Sequence, residues 1–204
     1  MNAADEHLRA DPVMARLIDE GGGPLPTEPD ARGRPDELYG ALVRSIAGQQ
    51  LSVKAAQAIW RRLLERFDGR TPTPEQILAD DPEALRAAAG FSRAKVAYLR
   101  SLAEHVLSGA LEIERIRELP DDEVVTELTA VKGIGEWTAH MFLMFTLHRP
   151  DVLPVGDLGV RNAARAAYGV DTIDELRALA EAWAPYRTRA CLYLWRSLDN
   201  TPDA

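Results

Sequence analysis

Apolar residues recur at helical spacing along nearly the whole chain, and the alternation expected of a strand is nowhere sustained. Leu38, Leu42, Val43 and Ile46 share one helical face. Val53, Ala56, Ile59, Trp60, Leu63 and Leu64 repeat the pattern behind Ser52, a natural N-cap. Pro74 and Pro82 suit the first turns of short helices near 74–80 and 82–89. Ser92 opens a longer helix that reaches Leu107 and is stopped by Gly109, and Asp121 or Asp122 opens another to about Thr129. The β-branched pair Val124-Val125 lies inside a helical pattern, and the Gly- and Pro-rich stretch 21–35 reads as a linker. An all-α protein is expected.

Charge sets a second limit. The formal net charge of −8 argues against a nucleic-acid partner, but its distribution matters more than its sum. Segment 1–40 holds nine acids against four Arg, and 112–127 holds seven against two. Between them Arg86, Arg93, Lys95 and Arg100 form a run of bases with no acid, and Arg187, Arg189 and Arg196 form another. Segment 44–70 adds six bases against two acids. Two readings stand for these clusters: solvated helix faces, or parts of one basic surface. The single cysteine, Cys191, permits no internal disulfide and no cysteine-ligated zinc or iron–sulfur cluster. No apolar run spans a bilayer and the first residues are acidic, so no membrane association is expected and a cytoplasmic protein is the default.

Two short stretches carry chemistry. In Leu128 to His140 a helix ends, Gly133-Ile134-Gly135 turns tightly, and a second apolar helix begins. Glycines let the backbone turn and approach another surface closely. The amides of the following helix start can then hold an anion such as a DNA phosphate. A plain interhelical turn is the simpler reading of the same residues. About 20 residues on, Asp157 follows Pro154-Val155-Gly156 at the head of a helix near 158–167. It is either a capping aspartate or a carboxylate presented to a cleft. In the second case it would stabilise an oxocarbenium-like sugar or activate water against it.

This arrangement resembles the helix-hairpin-helix, Gly/Pro-Asp superfamily of DNA glycosylases, and within it the DNA-3-methyladenine glycosylase II type. Arg44 to Val53, which contains Gly48-Gln49-Gln50-Leu51-Ser52, is similar to the family's R-x-I-x-G-Q-x-x-S-V junction. Val131 to Ala139 is similar to its P-G-I-G-x-W-T-A hairpin, with Lys132 in place of proline. Trp183-x-Pro185-x-Arg187 through Trp195 is similar to its closing W-x-P-x-R-S-x-A-x-x-x-x-W helix. The matched blocks span about residues 36–198, without the sheet-like N-terminal domain of longer members.

The resemblance implies a two-lobed all-α enzyme with a cleft between the lobes. One lobe would be 38–148 with the hairpin, the other 1–37 plus 149–204. It implies a monofunctional hydrolase acting on alkylated bases of the 3-methyladenine and 7-methylguanine type. Trp137 occupies the position where bifunctional members carry a Schiff-base lysine. Asp157 takes the catalytic position. Trp137, Trp195 and Met141 take positions of the base pocket, where aromatic faces suit a cationic purine. Met141 and Leu158 stand where some relatives carry aromatics. Gln50, with Leu51 beside it, is the residue expected to fill the stack left by the flipped base. Gly133, Ile134, Gly135 and Thr138 are expected at the DNA backbone. The carbonyls of Thr129, Val131 and Ile134 are expected to hold a monovalent cation. The expected partner is double-stranded DNA with alkylated bases, met by a monomer in the cytoplasm at the nucleoid. Two rival classes are a non-catalytic helix-hairpin-helix binder of damaged DNA and a helical protein-interaction module. Neither uses Asp157 together with both tryptophans.

Overall fold

The computed structural model describes residues 2–25 and 37–199, so most of the expected linker at 21–35 lies outside the described residues. Among the described residues there are twelve α-helices and no strand. In chain order they are α1 (Ala3–Leu8), α2 (Pro12–Glu20), α3 (Leu38–Gly48), α4 (Val53–Arg66), α5 (Pro74–Ala79) and α6 (Pro82–Ala89). Then come α7 (Arg93–Leu107), α8 (Asp121–Ala130), α9 (Glu136–Phe145), α10 (Leu158–Tyr168), α11 (Ile173–Ala180) and α12 (Arg187–Asp199). The all-α expectation holds.

The caps explain why helices begin where they do. Ser52 and Ser92 each accept the N–H of the residue three further on. Thr73 and Thr172 form reciprocal capping boxes with Gln76 and Glu175. Pro12, Pro74 and Pro82 fill first-turn positions whose N–H would be orphaned anyway.

The chain folds into two compact units: Met1–Asp30 with Leu143–Ala204, and Ala31–Phe142. The changeover falls inside α9, ahead of the boundary expected after residue 148, because the apolar helix runs on without a break. In the second unit α3 packs on α4 and α7, α5 on α7, and α4 on α6, around Leu42, Ile46, Leu63, Ile77, Leu85, Leu99 and Leu102. The expected apolar face of α4 is only partly covered: Leu63 is buried, whereas Val53 is 76% exposed in the first turn.

In the first unit α2 and α10 pack on α12 around Met14, Ile18, Val160, Trp183 and Leu194. A polar network ties α1 to α12. Asp5, 1% exposed, accepts Nε and Nη2 of Arg189 at 2.6 and 3.0 Å and the hydroxyl of Tyr193. Burial raises the Asp5 pKa, but the bonds from Arg189 and Tyr193 with the Arg189 charge outweigh it and hold the carboxyl below its usual range. A depressed pKa contributes stability above the unfolded value and loses it as pH falls through the folded one. The pair's contribution is therefore full above about pH 4 and fades below it. Asp5→Asn leaves the buried guanidinium without its counter-ion and is expected to cost about 3 kcal/mol. At pH 7 this reads as a melting temperature roughly 10 °C lower, with the gap to wild type closing in acid.

Candidate active site

Asp157 is positioned by the loop before it and by α12 beside it. The loop turns sharply, with Val155 N–H donating to Leu153 O and Asp157 N–H to Pro154 O, both at 2.9 Å. Its upstream half is pinned to the start of α12. Arg187 grips Asp151 through Nε and Nη2 at 2.7 Å each, and holds that carboxyl below its usual range. The Thr188 hydroxyl donates to Arg149 O at 2.7 Å and accepts Val152 N–H at 3.0 Å. Two turns further along the same helix sits Trp195, whose Nε1–H donates to Asp157 Oδ1 at 2.8 Å. That oxygen also accepts Val160 N–H at 2.7 Å, so the capping role is real.

Trp195 stacks on Phe145 with ring centroids 6.0 Å apart and planes inclined by 26°. The pairing of indole and carboxylate depends on Gly159. A Cβ there would lie 2.9 Å from Trp195 Cδ1 and Nε1 and 3.1 Å from Asp157 Oδ1. Sequence reasoning missed Gly159. A glycine in the first turn of a helix, where it costs stability, was its only signal. Cys191, one turn before Trp195, is buried, and burial with the Asp157 charge pushes its thiol well above the usual range. It is no nucleophile.

The hairpin joins α8 to α9. Gly133 has φ +92°, a left-handed backbone that favours glycine, and a Cβ on it would overlap the Tyr98 ring. Gly135 has ordinary backbone, and a Cβ there would meet open space. The expectation that both glycines are conformationally required is corrected: only Gly133 is. Ile134 is buried, and Thr138, near the start of α9, is 4% exposed. Both side chains are thus covered by protein, leaving only their backbone near the surface of the turn. Trp137 in the same turn of α9 is 47% exposed, and Met141 one turn later is half-buried.

The junction after α3 is a second tight turn. Gln49 ends the helix, and its Nε2 donates to Gly133 O at 2.8 Å. Gln50 follows with φ +59° and is exposed, and Leu51 is 38% exposed.

Many bases of the clusters have partners within the fold. Arg86 pairs with Glu83 at 2.7 Å and Arg93 approaches the same acid at 3.5 Å. Arg100 Nη1 donates to the carbonyls of Ile77 and Leu78 at 3.1 and 3.2 Å, closing α5. Lys95 Nζ donates to Ala47 O at 2.8 Å. Arg187 and Arg189 hold Asp151 and Asp5, and Arg196 donates to Ile18 O and Gly23 O. Arg66 holds Asp80 and Arg44 lies over Trp60. Lys95, Arg100, Arg187, Arg189 and Arg196 are therefore held by the fold, whereas Arg61 and Arg93 stay largely exposed beside their acids. Lys54, Arg62, Arg70 and Lys132 remain on exposed positions of the second unit.

The sequence profile of the HhH-GPD superfamily, described as a superfamily of base excision DNA repair proteins, matches residues 43–186. The chain belongs to this superfamily. The match takes in the turn after α3, the hairpin and Asp157, whereas Trp195 lies beyond it. Among curated members it is 37% identical to DNA-3-methyladenine glycosylase 1 of Schizosaccharomyces pombe, over 97% of this chain and 87% of that protein. It is 30% identical to DNA-3-methyladenine glycosylase 2 of Escherichia coli over 79% of this chain and 58% of that longer protein. Among solved members, the S. pombe 3-methyladenine DNA glycosylase in complex with abasic DNA superposes with a TM-score of 0.85. That likeness has 36% identity and covers 99% of this chain and 100% of that one. The superfamily's base excision repair class is thereby this chain's own.

Proposed function

We propose that this protein hydrolyses the N-glycosidic bond of alkylated bases in double-stranded DNA, with Asp157 as the catalytic carboxylate. The observation that carries the reading is the treatment of Asp157. One oxygen accepts both Val160 N–H and Trp195 Nε1–H, so the carboxylate is held in a single orientation at the head of α10. As the bond between C1′ and the base nitrogen breaks, positive charge gathers on the sugar. A fixed carboxylate stabilises that charge and guides water to C1′, leaving free base and an abasic site. The names of the relatives point to 3-methyladenine, a cationic purine with a weakened bond.

The remaining roles are assigned on the family resemblance and the surroundings of each residue. Trp137 offers an exposed aromatic face for a cationic ring, with Met141 beside it on α9. Trp195 gives an aromatic face as well as the hydrogen bond to Asp157. Gln50 and Leu51 fill the stack behind the extruded base. Gly133, Ile134, Gly135 and Thr138 hold the DNA backbone through the amides and close approach of the hairpin. The carbonyls of Thr129 and Val131 at the end of α8 and of Ile134 in the turn suit a monovalent cation: each carbonyl oxygen has two lone pairs, so Val131 O can serve even while it accepts Ile134 N–H at 3.1 Å. When bound, the cation supplies positive charge beside a DNA phosphate. No helix among the described residues is long and apolar enough to cross a membrane. The enzyme is proposed to act as a monomer on DNA in the cytoplasm.

A base-release assay on duplexes carrying defined methylated bases tests the activity. Free methylated base is expected, with strand breaks appearing only after alkali. Trp137 stands in the place a lyase would give to lysine, so borohydride is expected to trap no enzyme–DNA adduct. An adduct would refute the monofunctional reading, and absence of base release would refute the whole.

Trp195→Phe keeps the ring on Phe145 but removes the donor. Base release is expected to fall about tenfold, the worth of one hydrogen bond to a charged group, while the melting temperature stays within a few degrees. Unchanged release would mean the indole N–H does nothing for Asp157.

A further inference from the structure

The hydrogen bond from Gln49 to the hairpin has no role in the assignments above, and it joins the two turns that those assignments place against DNA. We propose that Gln49 is a positioning residue that locks the stack-filling turn of Gln50 and Leu51 to the phosphate-facing turn of Gly133 and Gly135, so that gripping the backbone and filling the stack occur as one movement. The proposal rests on the glycosylase reading of those two turns.

Three contacts support it, two of them from one face of α7. The Gln49 amide nitrogen reaches Gly133 O at 2.8 Å across 84 residues of sequence. Lys95, in the first turn of α7, donates Nζ to Ala47 O at 2.8 Å, just before Gln49. Tyr98, three residues after Lys95 and so on the same face of α7, holds its ring where a Cβ on residue 133 would stand. One helix therefore seats the end of α3 and the hairpin side by side, and Gln49 closes the link between them.

Both turns use backbone that needs such support. Gln50 has φ +59° without being glycine, a conformation that persists only where neighbours over-determine it. Its neighbour Gln49 is held at Gly133, and Gly133 at φ +92° is held against Tyr98. The Gln49 amide is thus spent on the protein. It positions the residue after it and does not read DNA itself.

The test uses the full chain with Gln49→Ala and Gln49→Met, the second keeping length without the donor. Each is measured for melting temperature, affinity for undamaged duplex, fluorescence of 2-aminopurine beside the target base, and single-turnover base release. Expected are a melting temperature within a few degrees and affinity for undamaged DNA within about twofold. The 2-aminopurine signal and the release rate are expected to fall ~10-fold or more, as small misplacements of a positioned group do. Lys95→Met severs the support from α7 and is expected to act the same way, so the proposal survives a Gln49 variant that fails to fold. Wild-type flipping in folded Gln49 and Lys95 variants overturns it, and so does a loss confined to stability. Gln50→Ala and Leu51→Ala separate the layers. If they reduce flipping while Gln49 variants do not, the link alone is wrong. If they leave flipping intact, the stack-filling reading beneath it is wrong.

Discussion

Replacing Asp157 by asparagine is expected to reduce base release by ~10²–10⁴-fold while leaving the fold and the affinity for undamaged DNA nearly unchanged. Asparagine is about as good an N-cap as aspartate, and its side-chain oxygen can still accept Val160 N–H and Trp195 Nε1–H where Oδ1 does now. Asp157→Asn therefore removes the negative charge and little else. Asp157→Ala removes both charge and cap, and is expected to lose about 1 kcal/mol of stability in addition. Comparing the two separates the roles that one carboxylate combines. Release within a few-fold of wild type in the asparagine variant would end the mechanism. A collapse of its melting temperature would return Asp157 to a purely structural part.

The second large effect is expected from a pair of glycines that look alike in sequence. Gly133→Val places a side chain into the Tyr98 ring on a left-handed backbone. Steric overlap and backbone strain together are expected to cost roughly 3–6 kcal/mol, seen as a large drop in melting temperature. Gly135→Val meets open space on ordinary backbone and is expected to melt with the wild type. Its side chain stands where a phosphate would approach, so affinity should fall about equally for damaged and undamaged duplexes, because phosphate contacts carry no base information. A folded Gly135→Val that binds DNA normally would show that the hairpin is not the anchor.

What was readable from the sequence was local. Ser52, Ser92 and Asp157 announce helix starts because capping involves residues three apart. Gly133 announces its turn for the same reason. The site's second layer was not readable, since Trp195 meets Asp157 across 38 residues and Gln49 meets Gly133 across 84. Nothing in the spacing of either pair marks it. The arginine runs misled for a related reason. Arg187 and Arg189 look like a surface patch until their partners, Asp151 and Asp5, are brought in from elsewhere in the chain. Gly135 shows the limit on the other side: its chemistry as glycine was plain, but whether the space around it was full or empty was decided by distant residues.

The bond between Asp5 and Arg189 bears on how the molecule is made. These residues are 184 positions apart, so the first helix emerges from the ribosome long before its partner exists. At roughly 5–20 residues per second that wait is on the order of 10–40 s. The buried residues Leu42, Ile46, Leu63 and Leu99 all lie within the one unit 31–142, so their core can gather while synthesis continues. The unit that carries Asp157 cannot, because it closes only when α12 arrives with Arg187, Arg189 and Trp195. A nascent chain halted before α12 would carry Asp157 without the indole that orients it and Asp151 without its arginine, so the surroundings of that loop are the last part of the molecule to form.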